Sequence, residues 1–237
     1  VRFADESVCI GDGPVADSYM NHKKIISTAL NSGSQAIHPG YGFLSENAKF
    51  AEACVQNDLI FVGPSAASIE LMSDKAHAKN LLEKVGVPCI PGFEEKGLRF
   101  KEVLRKAMNI GFPVMVKAAA GGGGKGMRLV SSADELEKSI SLAKAEARNF
   151  FGSDKIIIEK AILDAKHVEI QIFADKWKNC ISLGERECSV QRRNQKLIEE
   201  SPCVKVDPKV RKKMEDVSVK AASTISYAGA GTIEFLI

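Results

Sequence analysis

The sequence lacks the marks of several protein classes. No stretch approaches the roughly 18 uninterrupted apolar residues of a helix that crosses a bilayer, so a membrane span is not expected. An excess of one charge is missing too. With 33 basic and 30 acidic residues the net charge is +3, which gives no electrostatic reason to propose a nucleic-acid partner. The six cysteines (Cys9, Cys54, Cys89, Cys180, Cys188, Cys203) form no C-x-x-C pair, and the disulfide framework of short secreted chains fits poorly. Scattered thiols of this kind suit buried free cysteines in a reducing compartment, hence an intracellular protein of the cytoplasm or mitochondrial matrix. The four histidines (His22, His38, His77, His167) show no zinc-ligand spacing. There is no initiator Met, no signal peptide and no transit-like leader. The chain stops at Thr232-Ile233-Glu234-Phe235-Leu236-Ile237, inside a strand-like pattern, so it is expected to be an internal piece of a longer protein.

What is present is ordinary globular material. Hydrophobic residues make up 45% and charged residues 27% of 237, which argues against disorder and fits one large domain or two small ones. Residues 1–62 alternate helix and strand. A helix is expected from Ser18 to Asn31, a short strand at Ala36-Ile37, a helix from Asn47 to Gln56 and a strand from Leu59 to Val62. A helical linker follows, with Ser73 as N-cap, Ala78, Leu81, Leu82 and Val85 on one face, and Gly86 as terminator. Lys75 then falls in a first turn, where the helix dipole disfavours a cation. By itself it reads as a tolerated surface lysine.

Residues 89–160 read as a compact α+β unit: a helix from Phe100 to Ile110, a strand from Pro113 to Lys117, a glycine run, and a strand from Met127 to Val130. A capping box of Ser132 and Glu135 opens a helix with Leu136, Ile140, Ala143 and Ala147 on its buried face, and the strand Ile156-Ile157-Ile158 follows. Further on, Val168, Ile170 and Ile172 alternate with Glu169 and Gln171, as in a strand with one apolar and one polar face. Asp207-Pro208 starts a last helix, with Val210, Met214, Val217 and Ala221 turned inward.

Gly121, Gly123 and Gly126 satisfy G-x-G-x-x-G, but the run leads into a strand, so a dinucleotide fingerprint does not apply. Gly126 is followed by Met127, which excludes a Walker A loop. What remains is a glycine-rich hairpin flanked by Lys117 and Lys125. Glycines let backbone N–H groups approach an anion closely, so the hairpin could cover a phosphate tail. It could equally be a turn with no ligand. The polar run Glu185 to Lys196 is either a solvated strand or the wall of a site, since unpaired buried charge is expensive. Glu234, on the same strand face as Leu236, is either a surface glutamate or a Mg²⁺ ligand beside a nucleotide base.

Several runs occur together: His38-Pro39-Gly40-Tyr41-Gly42-Phe43-Leu44-Ser45-Glu46-Asn47, Lys117 to Met127, Glu159-Lys160, His167 to Gln171, Glu185 to Lys196 and Gly229 to Phe235. In this combination and order the chain resembles the biotin carboxylase family of the ATP-grasp superfamily. The resemblance spans essentially the whole chain but only part of the family's domain. It implies an α/β fold with an incomplete ATP-grasp: residues 1–63 as the end of an N-terminal α/β layer, 64–88 as a helical linker, 89–160 as a mobile α+β lid, and 161–237 as the start of a C-terminal antiparallel sheet.

The resemblance also implies MgATP-dependent activation of bicarbonate, through carboxyphosphate, and carboxylation of biotin on a carrier domain. Mg²⁺ is the implied ion, with Mn²⁺ as a substitute. Lys75 and Lys117 match lysines that contact ATP phosphates, and Gly123 and Gly124 match the flap. Glu159, Lys160 and Ile162 match the hinge that reads the adenine edge, Glu159 and Ile162 through backbone groups. His167, Gln191 and Asn194 match residues around the nucleotide, Lys196 one near bicarbonate, Glu234 a metal ligand, and Leu236 a residue against the adenine. Implied partners are bicarbonate, a biotin carboxyl carrier, a carboxyltransferase and further copies of the same chain.

Asn194 stands where many members carry histidine. It leans toward an acyl-CoA carboxylase α subunit and away from pyruvate carboxylase. The family's second metal glutamate, bicarbonate arginine, catalytic base and biotin-pocket arginine would lie beyond Ile237, so this chain alone is not expected to turn over. Two alternatives stand beside this reading: a carbamoyl-phosphate synthetase-like ligase, and a non-catalytic nucleotide-binding module.

Overall fold

The computed structural model describes residues 3–73, 75–119, 127–192 and 195–237, with the side chains at 75, 76, 150 and 151 outside the description. Gly123, Gly124 and Asn194 therefore lie outside the described residues, as do Lys125 and the Lys75 side chain.

The first unit is a small α/β layer. Helices α1 (His22–Asn31) and α2 (Ala48–Gln56) pack beside the parallel strands β1 (Ala36–Ile37) and β2 (Ile60–Phe61). Ile26, Leu44, Phe50, Cys54 and Leu59 form its core. Helix α1 begins later than its apolar spacing suggests. Asn21 caps it by accepting the Lys24 N–H at 3.1 Å, while Ser18 sits just after a short 3-10 turn and donates to Pro14 O. A side-chain acceptor for an orphan first-turn amide outweighs one more apolar residue in fixing a helix start.

The linker holds two helices, α3 (Ala66–Ser73) and α4 (Lys75–Lys84). Ser73 is the last residue of α3, and its hydroxyl donates back to Glu70 O at 2.7 Å. A serine can satisfy itself on a preceding carbonyl as readily as on a following amide, and its sequence position does not say which.

Four antiparallel strands form the next unit, in the order β3 (Gly92–Glu94), β6 (Ile156–Lys160), β4 (Val114–Ala118), β5 (Arg128–Val130). Helices α5 (Phe100–Ile110) and α6 (Ala133–Phe151) cover one face. Val103, Val114, Val116, Val130, Leu136, Ile156 and Ile158 are all at most 1% exposed there. With period-two alternation, burying Val114 and Val116 turns Lys117 to the opposite face. The expected Ser132–Glu135 capping box does not form. Ser132 makes no side-chain cap bond, and the Glu135 carboxylate accepts the N–H of Ser131 at 3.1 Å instead.

The last unit is a second four-stranded antiparallel sheet, in the order β10 (Gly229–Leu236), β7 (His167–Ala174), β8 (Cys180–Arg192), β9 (Gln195–Glu200). Helix α7 (Pro208–Thr224), capped by Asp207 through the Lys209 N–H at 2.8 Å, packs on Val168, Ile170 and Ile172 through Met214 and Ala222. Met214 and Ala221 are buried as expected, but Val210 is 41% exposed. It lies in the first turn of α7. The other face of this sheet carries Glu169, Arg186, Lys196 and Glu234. Among the described residues no helix is long and apolar enough to cross a membrane. All six cysteines are free. Cys54, Cys188 and Cys203 are buried, Cys89 and Cys180 half-buried and Cys9 exposed, so burial is not general.

Candidate active site

Two clusters of charge sit on the faces of the two four-stranded sheets that lie opposite α5–α6 and opposite α7. The first is built on β4 and β6. Met115 pairs with Glu159 and Lys117 with Ile157, so Lys117 and Glu159 are diagonal neighbours on one face. Lys117 Nζ donates to Glu159 Oε2 at 2.8 Å. Lys79, from α4, reaches the other oxygen of the same carboxylate at 3.6 Å and also donates to Ile90 O. Lys160 points the other way, into the helical side, where its ammonium donates to Gly111 O at 2.9 Å and Phe112 O at 3.0 Å. It ties β6 to carbonyls at the C-terminal end of α5, where a cation is favoured. Ile162 lies just past β6 and is 44% exposed.

Gly92, opposite Glu159, makes this geometry possible. A Cβ there would stand 2.7 Å from both Glu159 Cγ and Ile158 O. Gly92→Ala is expected to destabilise the protein by about 1–3 kcal/mol through this overlap. A urea unfolding midpoint equal to that of the wild type would contradict it.

The second cluster runs in register across three strands. Glu234 on β10 pairs with Glu169 on β7, and Glu169 pairs with Arg186 on β8. Glu169 is only 3% exposed. Its carboxylate accepts Arg186 Nε at 2.7 Å and the Lys196 ammonium, which extends from β9 and also donates to Glu234 Oε1 at 2.7 Å. Burial pushes the Glu169 carboxyl up, but the Lys196 and Arg186 donors prevail and hold it below the ordinary glutamate value. Burial likewise works against the charge on Lys196, and its bonds to Glu169 and Glu234 more than restore it, so its ammonium is held well above the ordinary lysine value. Lys196 is thus a fixed cation at neutral pH and not a proton acceptor.

His167 and Gln191 flank the row. Gln191 Nε2 lies 2.6 Å from His167 Nδ1 and donates to Cys188 O at 2.8 Å. With Nδ1 accepting from the amide, the imidazole proton belongs on Nε2. That atom is buried without a hydrogen-bond partner, and Glu234 Oε2 lies 3.5 Å away. Leu236, paired with His167, is 42% exposed. Burial, reinforced by Glu169, raises the Cys188 thiol to about 11, so it remains protonated and serves packing.

The polar run Glu185 to Lys196 divides between two faces. Arg186, Gln191 and Lys196 belong to this row. Glu185 and Glu187 turn to the α7 side, where Glu185 accepts Arg211 Nε at 2.7 Å and Glu187 holds Lys166 at 3.1 Å. Sequence reasoning missed Glu169, Arg186 and Lys79. A glutamate between Val168 and Ile170 on a core strand was the available signal for the first.

His167, Glu169 and Glu234 bring potential ligand atoms within 4.8 Å of one another. The two carboxylates suit a hard cation. Glu169 is already saturated by Arg186 and Lys196, whereas Glu234, with 54% of its side chain exposed, has oxygen capacity to spare. The residues therefore fit a magnesium ion held through Glu234. The His167 N–H suits an oxygen acceptor such as a phosphate or ribose oxygen.

A helix-backed antiparallel unit bearing Lys117, beside a second antiparallel sheet bearing a Lys–Glu row, is the arrangement expected from the ATP-grasp resemblance. The known relatives agree. The model of the carbamoyl-phosphate synthase L chain, ATP binding domain, matches residues 74–237, and that of the biotin carboxylase N-terminal domain matches residues 1–69. The chain belongs to this ATP-grasp family. It is 53% identical to the biotin carboxylase of Nostoc sp. over all of its length and 53% of that protein's. It is 47% identical to the methylcrotonoyl-CoA carboxylase subunit alpha of Dictyostelium discoideum, again over its whole length and 34% of that protein's. A biotin carboxylase complex with a β,γ-ATP ligand from Campylobacter jejuni superposes with a TM-score of 0.95 at 46% identity, covering 100% of this chain and 53% of that one. The biotin carboxylase domain of the Hydrogenobacter thermophilus 2-oxoglutarate carboxylase, solved with MgADP and bicarbonate, gives 0.92 at 45%, covering 99% and 52%. The chain spans about half the length, or less, of the curated relatives it matches.

Proposed function

We propose that the protein carrying this chain is an ATP-dependent ligase that carboxylates biotin on a carrier protein, the first half-reaction of a biotin-dependent acyl-CoA carboxylase. The observation that carries this reading is the Glu234–Lys196–Glu169–Arg186 row, a fixed cation beside a carboxylate with spare capacity. Such a site stabilises charge on a transferring phosphoryl group and on bicarbonate by position and electrostatics. The similarity to biotin carboxylases over the whole chain supports it.

In this reading Lys75 and Lys117, together with Gly123 and Gly124, hold the phosphates. Glu159 and Ile162 meet the adenine edge through backbone groups, and Lys160 fixes that hinge by its bonds to Gly111 and Phe112. Leu236 packs on the base. His167 offers its N–H to a nucleotide oxygen, oriented by Gln191, and Asn194 is a further residue assigned to the nucleotide. Lys196 positions bicarbonate as a cation. Glu234 holds Mg²⁺ or Mn²⁺, and the metal, when bound, neutralises phosphate charge. Residues 89–160 act as the lid over this cleft, excluding water from a labile mixed anhydride. The carrier domain delivers biotin, a carboxyltransferase consumes the product, and the protein self-associates. Six unbridged cysteines fit a reducing compartment, cytoplasm or mitochondrial matrix.

The decisive experiment is ATP hydrolysis by the intact protein with and without free biotin and bicarbonate. Hydrolysis that needs both supports the proposal. Hydrolysis driven by bicarbonate and ammonia without biotin would assign it to carbamoyl-phosphate synthesis instead, and nucleotide binding without turnover to a non-catalytic module. Separately, Glu234→Gln is expected to remove most of the gain in ATP affinity that Mg²⁺ provides, about tenfold or 1.4 kcal/mol. Affinity measured in EDTA should be unchanged. Titrations with and without the metal check this.

A further inference from the structure

The Lys117–Glu159 pair raises a difficulty for any lysine that must contact phosphate. The Glu159 side chain is only 18% exposed. If Lys117 leaves it for a polyphosphate, a half-buried carboxylate is stranded without its nearest cation, close to a polyanion. An unpaired buried charge is among the most expensive groups a fold can hold. The structure supplies a second cation for that carboxylate. Lys79 Nζ stands 3.6 Å from Glu159 Oε1, the oxygen that Lys117 does not use, and its side chain is 17% exposed. It comes from a different element, α4, and its bond to Ile90 O fixes it just before β3. Lys117 is the more exposed of the two lysines, at 31%, and so the freer to move.

We propose that Lys79 is a positioning residue for the nucleotide site: it keeps Glu159 neutralised and so releases Lys117 to engage the phosphates. This rests on the reading of Lys117 as a phosphate contact and goes beyond it. Lys79 itself touches no phosphate. Its ammonium holds the carboxylate in place, in the position that Gly92 leaves open, while Lys117 exchanges one anion for another. Because Lys79 also bonds to Ile90 O, it links α4 to the sheet unit at the point where the exchange happens. Glu159 acts as a stand-in anion for Lys117 when no nucleotide is bound, with Lys79 as its permanent partner.

The test is a set of variants in the intact protein, with MgATP and adenosine affinities measured by calorimetry. Lys79→Met should weaken MgATP binding about tenfold and leave adenosine binding unchanged, because only the phosphate end is affected. Lys79→Arg should retain most of the affinity. Combining Lys79→Met with Glu159→Gln should restore MgATP affinity to the level of Glu159→Gln alone, since no charge is then left to neutralise. A merely structural lysine would weaken both ligands and show no rescue, and that result would overturn the proposal. So would unchanged MgATP affinity in Lys79→Met together with loss in Lys117→Gln, an outcome that leaves the phosphate role of Lys117 standing. If Lys117→Gln itself binds MgATP as the wild type does, the phosphate reading fails and this inference with it.

Discussion

Lys117→Gln is expected to lower MgATP affinity by about 100-fold and to leave the fold intact. A lysine that donates charge-assisted hydrogen bonds to phosphate contributes about 1.5–3 kcal/mol, and 2.7 kcal/mol is two powers of ten in affinity. The stability effect is much smaller. The side chain is 31% exposed, and its partner Glu159 keeps Lys79 when Lys117 is lost. A partly solvated ion pair of this kind contributes less than about 1 kcal/mol. Binding and folding should therefore separate. Calorimetric titration reads the first, and the urea midpoint reads the second. A variant that kept wild-type affinity would remove the phosphate role of Lys117.

Glu169→Ala is expected to have the largest effect on stability, about 3 kcal/mol. The side chain is 4% exposed and is shared by Arg186 and Lys196. Removing one member of a buried ionic group strands the others, at about 3–5 kcal/mol. The lower end applies because Lys196 keeps Glu234 and Arg186 keeps a 3.1 Å bond to Gln171. The pH dependence follows from the direction of the shift. Burial raises the carboxyl, but Lys196 and Arg186 outweigh it, so the folded value lies below the unfolded one. The stabilisation is then complete above the unfolded glutamate value of about 4.3 and is lost as pH falls through the lower folded value. The wild type and Glu169→Gln should differ at neutral pH and converge on acidification below about pH 4. A difference in unfolding midpoint that stayed constant from pH 7 to pH 3 would contradict the assignment.

Much of this was legible in the chain itself. Alternation at 168–172 placed β7 and its two faces correctly, because a period of two is unambiguous when one face is buried. The helix Phe100–Ile110 and the face Leu136, Ile140, Ala143 and Ala147 were equally plain. Helix starts were less so. Ser73 and Ser132 both look like caps, but Ser73 ends α3 with its hydroxyl on Glu70 O, and Ser132 makes no side-chain cap bond, because a hydroxyl has several local carbonyls and amides to choose from. The helical linker expected over 64–88 holds two helices, and the break between them was not read from the sequence. The site divided along similar lines. Lys117, Glu159, Lys196 and Glu234 stand in motifs and were named. Arg186 lay within a quoted run but was not singled out, since its role depends on cross-strand pairing with Glu169 that no single segment reveals. Lys79 lies in no motif. Its partner is 80 residues away in the chain, and only the packing of α4 beside β3 brings them together.

The row from Glu234 through Glu169 to Arg186 has a meaning for assembly as well as for chemistry. Strand β7 alternates Val168, Ile170 and Ile172 with Glu169 and Gln171, so slipping it by a single residue would drive the Glu169 carboxylate into the oily contact with α7 and push an isoleucine or valine into the cleft. Such a mispairing would be rejected by its own electrostatics. The residues proposed to handle phosphate and bicarbonate thus also proofread how the strands line up, and selection for catalysis would preserve folding fidelity at no additional expense in sequence.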